Sequence, residues 1–341
     1  MISSKTYRTI ILFALVAVTI YHTKAISMTI IFSGLAAMFL HPLVLKLEGA
    51  GASLPVASVI VVFGTSIVLA TIFGFFVYEG ANIVSNLPSE KMEETMKDPA
   101  KTIDKSTNID VRHHPEEFEE VVDNVKKAGT KFAVGCISSI NATITFLVSC
   151  PIFIFFILLS RKQLRKFYYL SFKKKNRHLA NRILEQISLV YARYIRGMVY
   201  VMCIVAVLTG LGLFLLGIQH AIYLGLLAGF LTVVPYFGIF VSAAIPVFIA
   251  LLTKDSLWYP AGVIGVFLIV QFLEGNIITP KIMGDQVGLN PLMVIISIII
   301  FGAIGGVLGM ILTIPILALL KIVSYYIPGW KPLRHLLKSS N

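Results

Sequence analysis

The sequence predicts an all-α integral membrane protein of about eight transmembrane helices, with broken or re-entrant segments in its C-terminal half. Three observations carry this prediction. Of 341 residues, 57% are hydrophobic and only 13% are charged, with a mean hydropathy of +0.86, whereas a soluble domain carries roughly a quarter charged residues. The apolar residues come in blocks of about 20 or more, the length that crosses the hydrocarbon as a helix. Lys and Arg gather beside these blocks, as in cytoplasmic loops lying against an anionic leaflet.

The blocks follow one another along the chain. Lys5 and Arg8 precede the apolar run 10–20. A cleaved signal peptide is excluded because 21–24 lacks a small-x-small site and a second span, 25–45, follows almost at once. Both runs are read as a hairpin that stays in the membrane. With a third span at 54–78, after the turn Glu48-Gly49-Ala50-Gly51, they make residues 1–79 a group of three transmembrane helices.

Residues 80–135 read as an extracytoplasmic acidic helical segment. Between 81 and 131 lie eleven of the seventeen acids against eight bases. A helix starts at Pro115, with Glu116 and Glu117 in its first turn where the helix dipole favours them. Phe118, Val122, Val125 and Phe132 give it an apolar face. The fourth transmembrane helix, 136–160, contains Pro151. Residues 161–196 hold eleven basic residues and the single acid Glu185, which places this segment in the cytoplasm. Within it Ile183, Ile187, Val190 and Tyr194 trace one face of an interfacial amphipathic helix.

The C-terminal transmembrane bundle, 197–327, is less regular. Spans at 197–216 and 258–278 are of ordinary length. The stretches ending at Leu252 and Tyr326 are too long for one untilted crossing. A basic tail, 328–341, carries Lys331, Arg334 and Lys338. Eight crossings place both termini in the cytoplasm of a multi-pass protein of the bacterial plasma membrane.

Several function classes are excluded. The net charge of +12 belongs to loops flanking spans, and no soluble module remains to bind nucleic acid. Cys136, Cys150 and Cys203 form neither a disulfide framework nor a zinc spacing, and His113-His114 reads as a solvated loop pair rather than a metal site. No nucleophile and base pair up, no phosphate-binding Gly-Lys-Ser/Thr loop is present, and no cofactor is implied. The chain is not read as an enzyme.

Function is expected where the long apolar stretches break. One break is at Pro235 to Gly238, with Pro246 beyond; the other holds Gly302, Gly305, Gly306, Gly309 and Pro315. Irregular backbone at membrane depth is tolerated only where protein or a watery cavity covers it, which points to a transport pathway. The competing reading is close helix packing, favoured at Gly225-x-x-x-Gly229 and evenly balanced at Gly302–Gly309. Outside the acidic segment, Glu274 is the one acid inside a long apolar span, where a charge costs about 3 kcal/mol near the centre and should face a cavity or partner. The alternative is an interfacial carboxylate capping the next turn. Glu274 is thus the candidate coupling group, Asp255 and Asp285 are auxiliary acids at span ends, and Asn276 is a solute ligand. The pathway adds Pro280, Gly284, Gly288 and Pro291.

The string Glu274-Gly275-Asn276, then Pro280, Gly284, Val287-Gly288-Leu289 and Pro291, followed by the glycine run and Pro315, resembles the signature of the AI-2E family of bacterial permeases. Val234-Pro235-Tyr236-Phe237-Gly238, Pro246 and the layout of three spans, a hydrophilic segment and five spans fit the same pattern. The resemblance implies a transporter of autoinducer-2 or of monovalent cations in exchange for protons. Three readings follow: a gradient-coupled exporter of a small polar organic solute, a sodium/proton antiporter, or a non-transporting membrane scaffold. The bilayer is the obligate partner. Small-residue motifs and the apolar face after Pro115 point to a homo-oligomer.

Overall fold

The computed structural model describes residues 23–86, 140–172, 174, 177–254, 256–283, 288–327 and 329–338. Among the described residues the regular structure is helical, apart from one antiparallel bridge between Leu289 and Lys338. The helices are α1 (Lys24–Gly49), α2 (Leu54–Ser85), α3 (Ile140–Leu159), α4 (Arg161–Leu170), α5 (Arg177–Leu215), α6 (Ala221–Leu231) and α7 (Phe237–Thr253). They continue with α8 (Trp258–Leu273), a widened turn (Glu274–Ile278), α9 (Thr279–Met283), α10 (Pro291–Tyr326) and α11 (Lys331–Leu337).

Local chemistry sets their ends. After α1 the backbone N–H of Ala50 returns to the carbonyls of Lys46 and Leu47, and Gly51 takes the left-handed conformation at φ 98°, which glycine adopts at little cost. At the start of α10 the Asn290 Oδ1 accepts from the Leu292 N–H at 3.0 Å, with Pro291 in the first turn where its missing N–H is harmless.

Five helices are long and apolar enough to cross a membrane: 26–49, 54–83, 177–215, 258–283 and 291–326. A sixth is reached if α3 and α4, bent by 67° at Ser160, count together. This is a multi-pass all-α membrane protein, and the expected eight is corrected to five or six among the described residues. The run 10–20 lies outside them, as does most of the acidic segment. The sixth expected span is not a span. It divides into α6 and α7, of 11 and 17 residues, each shorter than the about 20 residues a crossing needs.

The reason is a glycine. At Gly238 an added Cβ would overlap the carbonyl of Leu231, seven residues earlier. In a straight helix those residues stand about 10 Å apart along the axis. The turn 232–236 brings them together, with Tyr236 at φ 61°. Side chains of both arms, Leu224 and Ala228 from α6 and Ile249 and Ala250 from α7, then share one apolar cluster.

The second overlong stretch is broken in the same way. Gly306 has φ 58° and ψ −142°, far from helical values, in a region open essentially to glycine alone. A Cβ on Gly309 would overlap the carbonyl of Phe301, although eight residues of straight helix would separate them by about 12 Å. The arms 291–305 and 307–326 therefore fold back on each other. The outer ends agree, because the Asn290 N–H donates to the Leu337 carbonyl at 3.1 Å and Leu289 bridges Lys338. Both long stretches are hairpins rather than tilted helices.

The chain divides into two compact units, one of 1–67, 142–195 and 286–341, the other of 68–141 and 196–285. In the first, Val44, Val62, Cys150 and Leu158 bind α1, α2 and α3 together, and Met28, Leu35 and Leu312 join α1 to α10. The stripe Ile183, Ile187, Val190 and Tyr194 was expected on the membrane surface. It belongs to the first half of α5, where 187–194 meets Pro315, Ala318, Leu319 and Ile322 of α10.

In the second unit, Leu213, Leu224, Ala250 and Val263 pack α5 to α8, and Val201, Val205 and Val270 continue that core. Here α5 and α6 approach backbone to backbone. A Cβ on Gly225 would lie 2.5 Å from the Gly210 Cα and 2.6 Å from the Ala206 carbonyl oxygen, and one on Gly229 would overlap the Met202 carbonyl. Close packing is the role of this Gly-x-x-x-Gly pair. Large apolar side chains face outward all round, Leu215 at 83% exposure and Phe240 at 75%, a surface that only lipid or other protein covers.

Candidate functional site

The site is built on the helix 258–283. Pro280 lacks the N–H that would bond to the carbonyl four residues back, and its ring crowds that carbonyl. The helix accommodates this by widening over Glu274–Ile278, so that the Thr279 N–H donates to the Glu274 carbonyl, five residues earlier. Such single widened turns recur at functional positions. They also rotate the preceding side chains off the regular helical face.

Glu274 sits in this turn, half-buried. The span runs to Met283, nine residues or about 13 Å of helix beyond it. The carboxylate is therefore within the helix long and apolar enough to span, with the more polar turn 279–283 beyond it. Both its oxygens are held by the same helix: Gln271 Nε2 donates to Oε2 at 3.2 Å, and Thr279 Oγ1 is hydrogen-bonded to Oε1. Bonds to a charged acceptor are the stronger kind, and these two fix the direction of the carboxylate.

The carboxylate opens on a narrow cavity of about 10 Å³, room for roughly one water molecule. Its polar lining comes from Thr209 of α5, Thr232 after α6, Ser242 of α7, and Gln271 and Glu274 of the α8 helix, with Val205, Ala228, Ile239, Phe267 and Val270 as apolar wall. The Thr232 hydroxyl donates to Ala228 at 2.9 Å and that of Ser242 to Ile239 at 3.0 Å, which leaves the lone pairs of both oxygens free of their own protons. Thr209 differs. It is fully buried, and its Oγ1 has no hydrogen-bond partner, a condition that costs about 1–3 kcal/mol unless a guest supplies the bond.

Of the expected residues, Glu274 lines the cavity, together with Thr232 and Ser242 from either side of the Pro235–Gly238 turn, and Pro280 shapes its helix. Asn276 is exposed, with its Nδ2 donating to the Phe272 carbonyl at 2.9 Å, and does not line the cavity. Asp255, Gly284 and Asp285 lie outside the described residues. Gly288, Pro291, Gly302, Gly305, Gly306, Gly309 and Pro315 belong to the other unit. There Gly288, at φ 38°, offers its carbonyl to Lys321 Nζ at 2.9 Å. A Cβ on Gly305 would lie 2.8 Å from Met28 Cγ, and one on Gly302 2.9 Å from Met310 Cε. Pro315 is buried on α10. Among the described residues no three His, Cys, Asp or Glu side chains cluster as metal ligands.

Sequence reasoning missed Thr209, Thr232, Ser242, Gln271 and Thr279 because it followed charge alone. A signal existed for Gln271, which lies three residues before Glu274 and so shares its helix face. The hydroxyls carry no such signal, since Ser and Thr satisfy themselves on helix carbonyls in any span.

A multi-pass helical protein with two hairpins folded back at glycines and a carboxylate held within a span has the build of membrane permeases. The chain belongs to the AI-2E transporter family, whose description, AI-2E family transporter, matches residues 10–329. It is 31% identical to YrrI of Bacillus subtilis over 55% of this chain and 54% of that protein. It is 29% identical to YhhT of Escherichia coli over 84% and 80% of the two chains, and 33% identical to the AI-2 transport protein TqsA of Escherichia coli over 37% and 36%. The match to YrrI spans about half the length of that relative.

Proposed function

We propose that this protein is a secondary transporter of the bacterial cytoplasmic membrane that exports a small polar organic solute, such as a signalling molecule, with Glu274 as its coupling group. The observation that carries this reading is the half-buried carboxylate on an apolar spanning helix, aimed by Gln271 and Thr279 onto a cavity lined by hydroxyls. An ionisable side chain within a span is costly and marks a functional position. The name of TqsA attaches AI-2 to that relative, and a solute of that polar, oxygen-rich kind suits the same hydrogen-bonding groups. A cavity with room for about one water is then the closed state, and α6–α7 is the element that must move to admit solute. Both termini and the basic segment 161–196 lie in the cytoplasm, the acidic segment 80–135 lies outside, and the molecule self-associates through its outward apolar surface.

Proteoliposomes test the coupling role. Glu274→Gln keeps the shape and both polar neighbours but cannot exchange a proton, so pH-driven solute flux should fall at least about tenfold, the scale of one lost proton-transfer group. Unchanged flux would remove Glu274 from the mechanism.

A second reading is favoured by one observation, the size of the cavity. Oxygens of Thr209, Thr232, Ser242 and Glu274 around a space for one water suit a hard monovalent cation exchanged for a proton. Expression in cells stripped of their own sodium exporters separates the two: rescue at high salt supports cation exchange, and failure to rescue counts against it. A non-transporting scaffold would instead lose function on deletion of 81–131 and ignore changes at Glu274.

A further inference from the structure

The segment 161–196 contains two helical faces, and the structure gives them different fates. The face 187–194 lies against α10. Among the described residues the face of α4 is left largely open: none of its residues is buried, and Leu164, Phe167 and Leu170 are 47%, 73% and 60% exposed. At 100° per residue these three and Gln163 fall in one arc, while Arg161, Arg165, Lys162 and Lys166 fall in the opposite one. The helix has no acidic residue.

Its placement is constrained. It leaves the apolar span α3 at Ser160 with a 67° bend, while its first turn stays joined to the span by the Leu164 N–H to Ser160 carbonyl bond at 2.9 Å. Arg161 Nη2 donates to both Glu48 oxygens, at 2.8 and 2.6 Å, which ties that end to the end of α1. Arg177 lies over the Tyr169 ring at 5.3 Å and adds a further cation beside the basic arc. A helix that turns off a span at its mouth, apolar on one side and cationic on the other, lies in the membrane interface.

We infer that α4 is a binding site for anionic phospholipid headgroups, with Lys162, Arg165 and Lys166 on the phosphates and Leu164, Phe167 and Leu170 among the acyl chains. Charge complementarity selects this occupant. Zwitterionic lipid would satisfy the apolar arc alone, and an acidic soluble partner would leave Phe167 in water. The site is independent of transport at Glu274.

The experiment uses the full chain with Phe167→Trp in vesicles of phosphatidylcholine containing phosphatidylglycerol, with bromine quenchers on the acyl chains of one lipid or the other. Emission from Trp258 and Trp330 is subtracted with the parent protein. Brominated phosphatidylglycerol should quench the added tryptophan more strongly than brominated phosphatidylcholine at equal content. K162Q/R165Q/K166Q should lower the apparent preference by about tenfold or more, since each cation near an anionic surface contributes several-fold. It should leave quenching by phosphatidylcholine intact, which shows that the helix still lies in the interface. Equal quenching by both lipids, an unchanged preference in the triple variant, or an added tryptophan reached by iodide in water rather than by bromolipid would each overturn the assignment. E274Q should retain the lipid preference.

Discussion

At Gly238 and Gly309 a hydrogen atom replaces a methyl group, and a hairpin depends on it. A Cβ at either position meets a backbone carbonyl, which cannot move aside. Gly238→Ala and Gly309→Ala should each destabilise by about 2–3 kcal/mol or more, the cost of overpacking against rigid neighbours. Gly305→Ala meets the Met28 side chain, which can shift where a backbone carbonyl cannot, and should cost less, and Gly265→Ala, with open space around it, should be close to neutral. Thermal unfolding of the four variants in one detergent checks the order. If all four melt together, the contact at the carbonyls is not what holds the folds. Thr279→Val removes one donor to the Glu274 carboxylate and should cost about 1.5–3 kcal/mol, typical of a bond to a charged group. Its melting point, measured beside E274Q, separates structural support from flux.

The α10 hairpin makes a prediction about sidedness. Because Leu289 bridges Lys338 across the two ends of the stretch, cysteines introduced at Leu289 and Leu336 should react with an impermeant maleimide from one and the same side of the membrane. A straight crossing by 291–326 puts them on opposite sides, so labelling of one in right-side-out vesicles and of the other only after inversion would exclude the fold-back. The α6–α7 hairpin rests instead on the α5–α6 contact. Gly225→Leu would drive a side chain into Gly210 and Ala206 and should prevent α6 from seating at all. Loss of a monodisperse peak in size-exclusion chromatography is the expected readout.

Among the described residues the spans are apolar for most of their length, and charge gathers at their ends and in the segments between, with Glu274, Lys281 and Lys321 as exceptions inside spans. The proposed orientation has a direct check. Reporter fusions after residue 135 should be active outside the cytoplasm and fusions after residue 176 and at the C-terminus inside it, because a segment with eleven basic residues in 161–196 is favoured on the cytoplasmic side. A reporter after 176 that works only outside would reverse the assignment.

Much of this was legible in the chain. Block lengths and flanking charge indicated a multi-pass helical protein, because both follow from the cost of moving polar groups into hydrocarbon, which is paid residue by residue. The positions of the breaks were legible too, since glycine and proline act on their own backbone. Glu274 stood out as one acid in an apolar run. Tertiary structure alone decided the rest. Whether an overlong run tilts or folds back depends on a contact such as Phe301 with Gly309, between residues whose hydropathy is the same in either arrangement, so a crossing and a hairpin agree equally with the pattern. The widened turn at Glu274, the bonds from Gln271 and Thr279, and the unpartnered hydroxyl of Thr209 likewise arise from how helices meet. Hydropathy is a property of each residue alone, whereas a cavity belongs to the four segments that surround it.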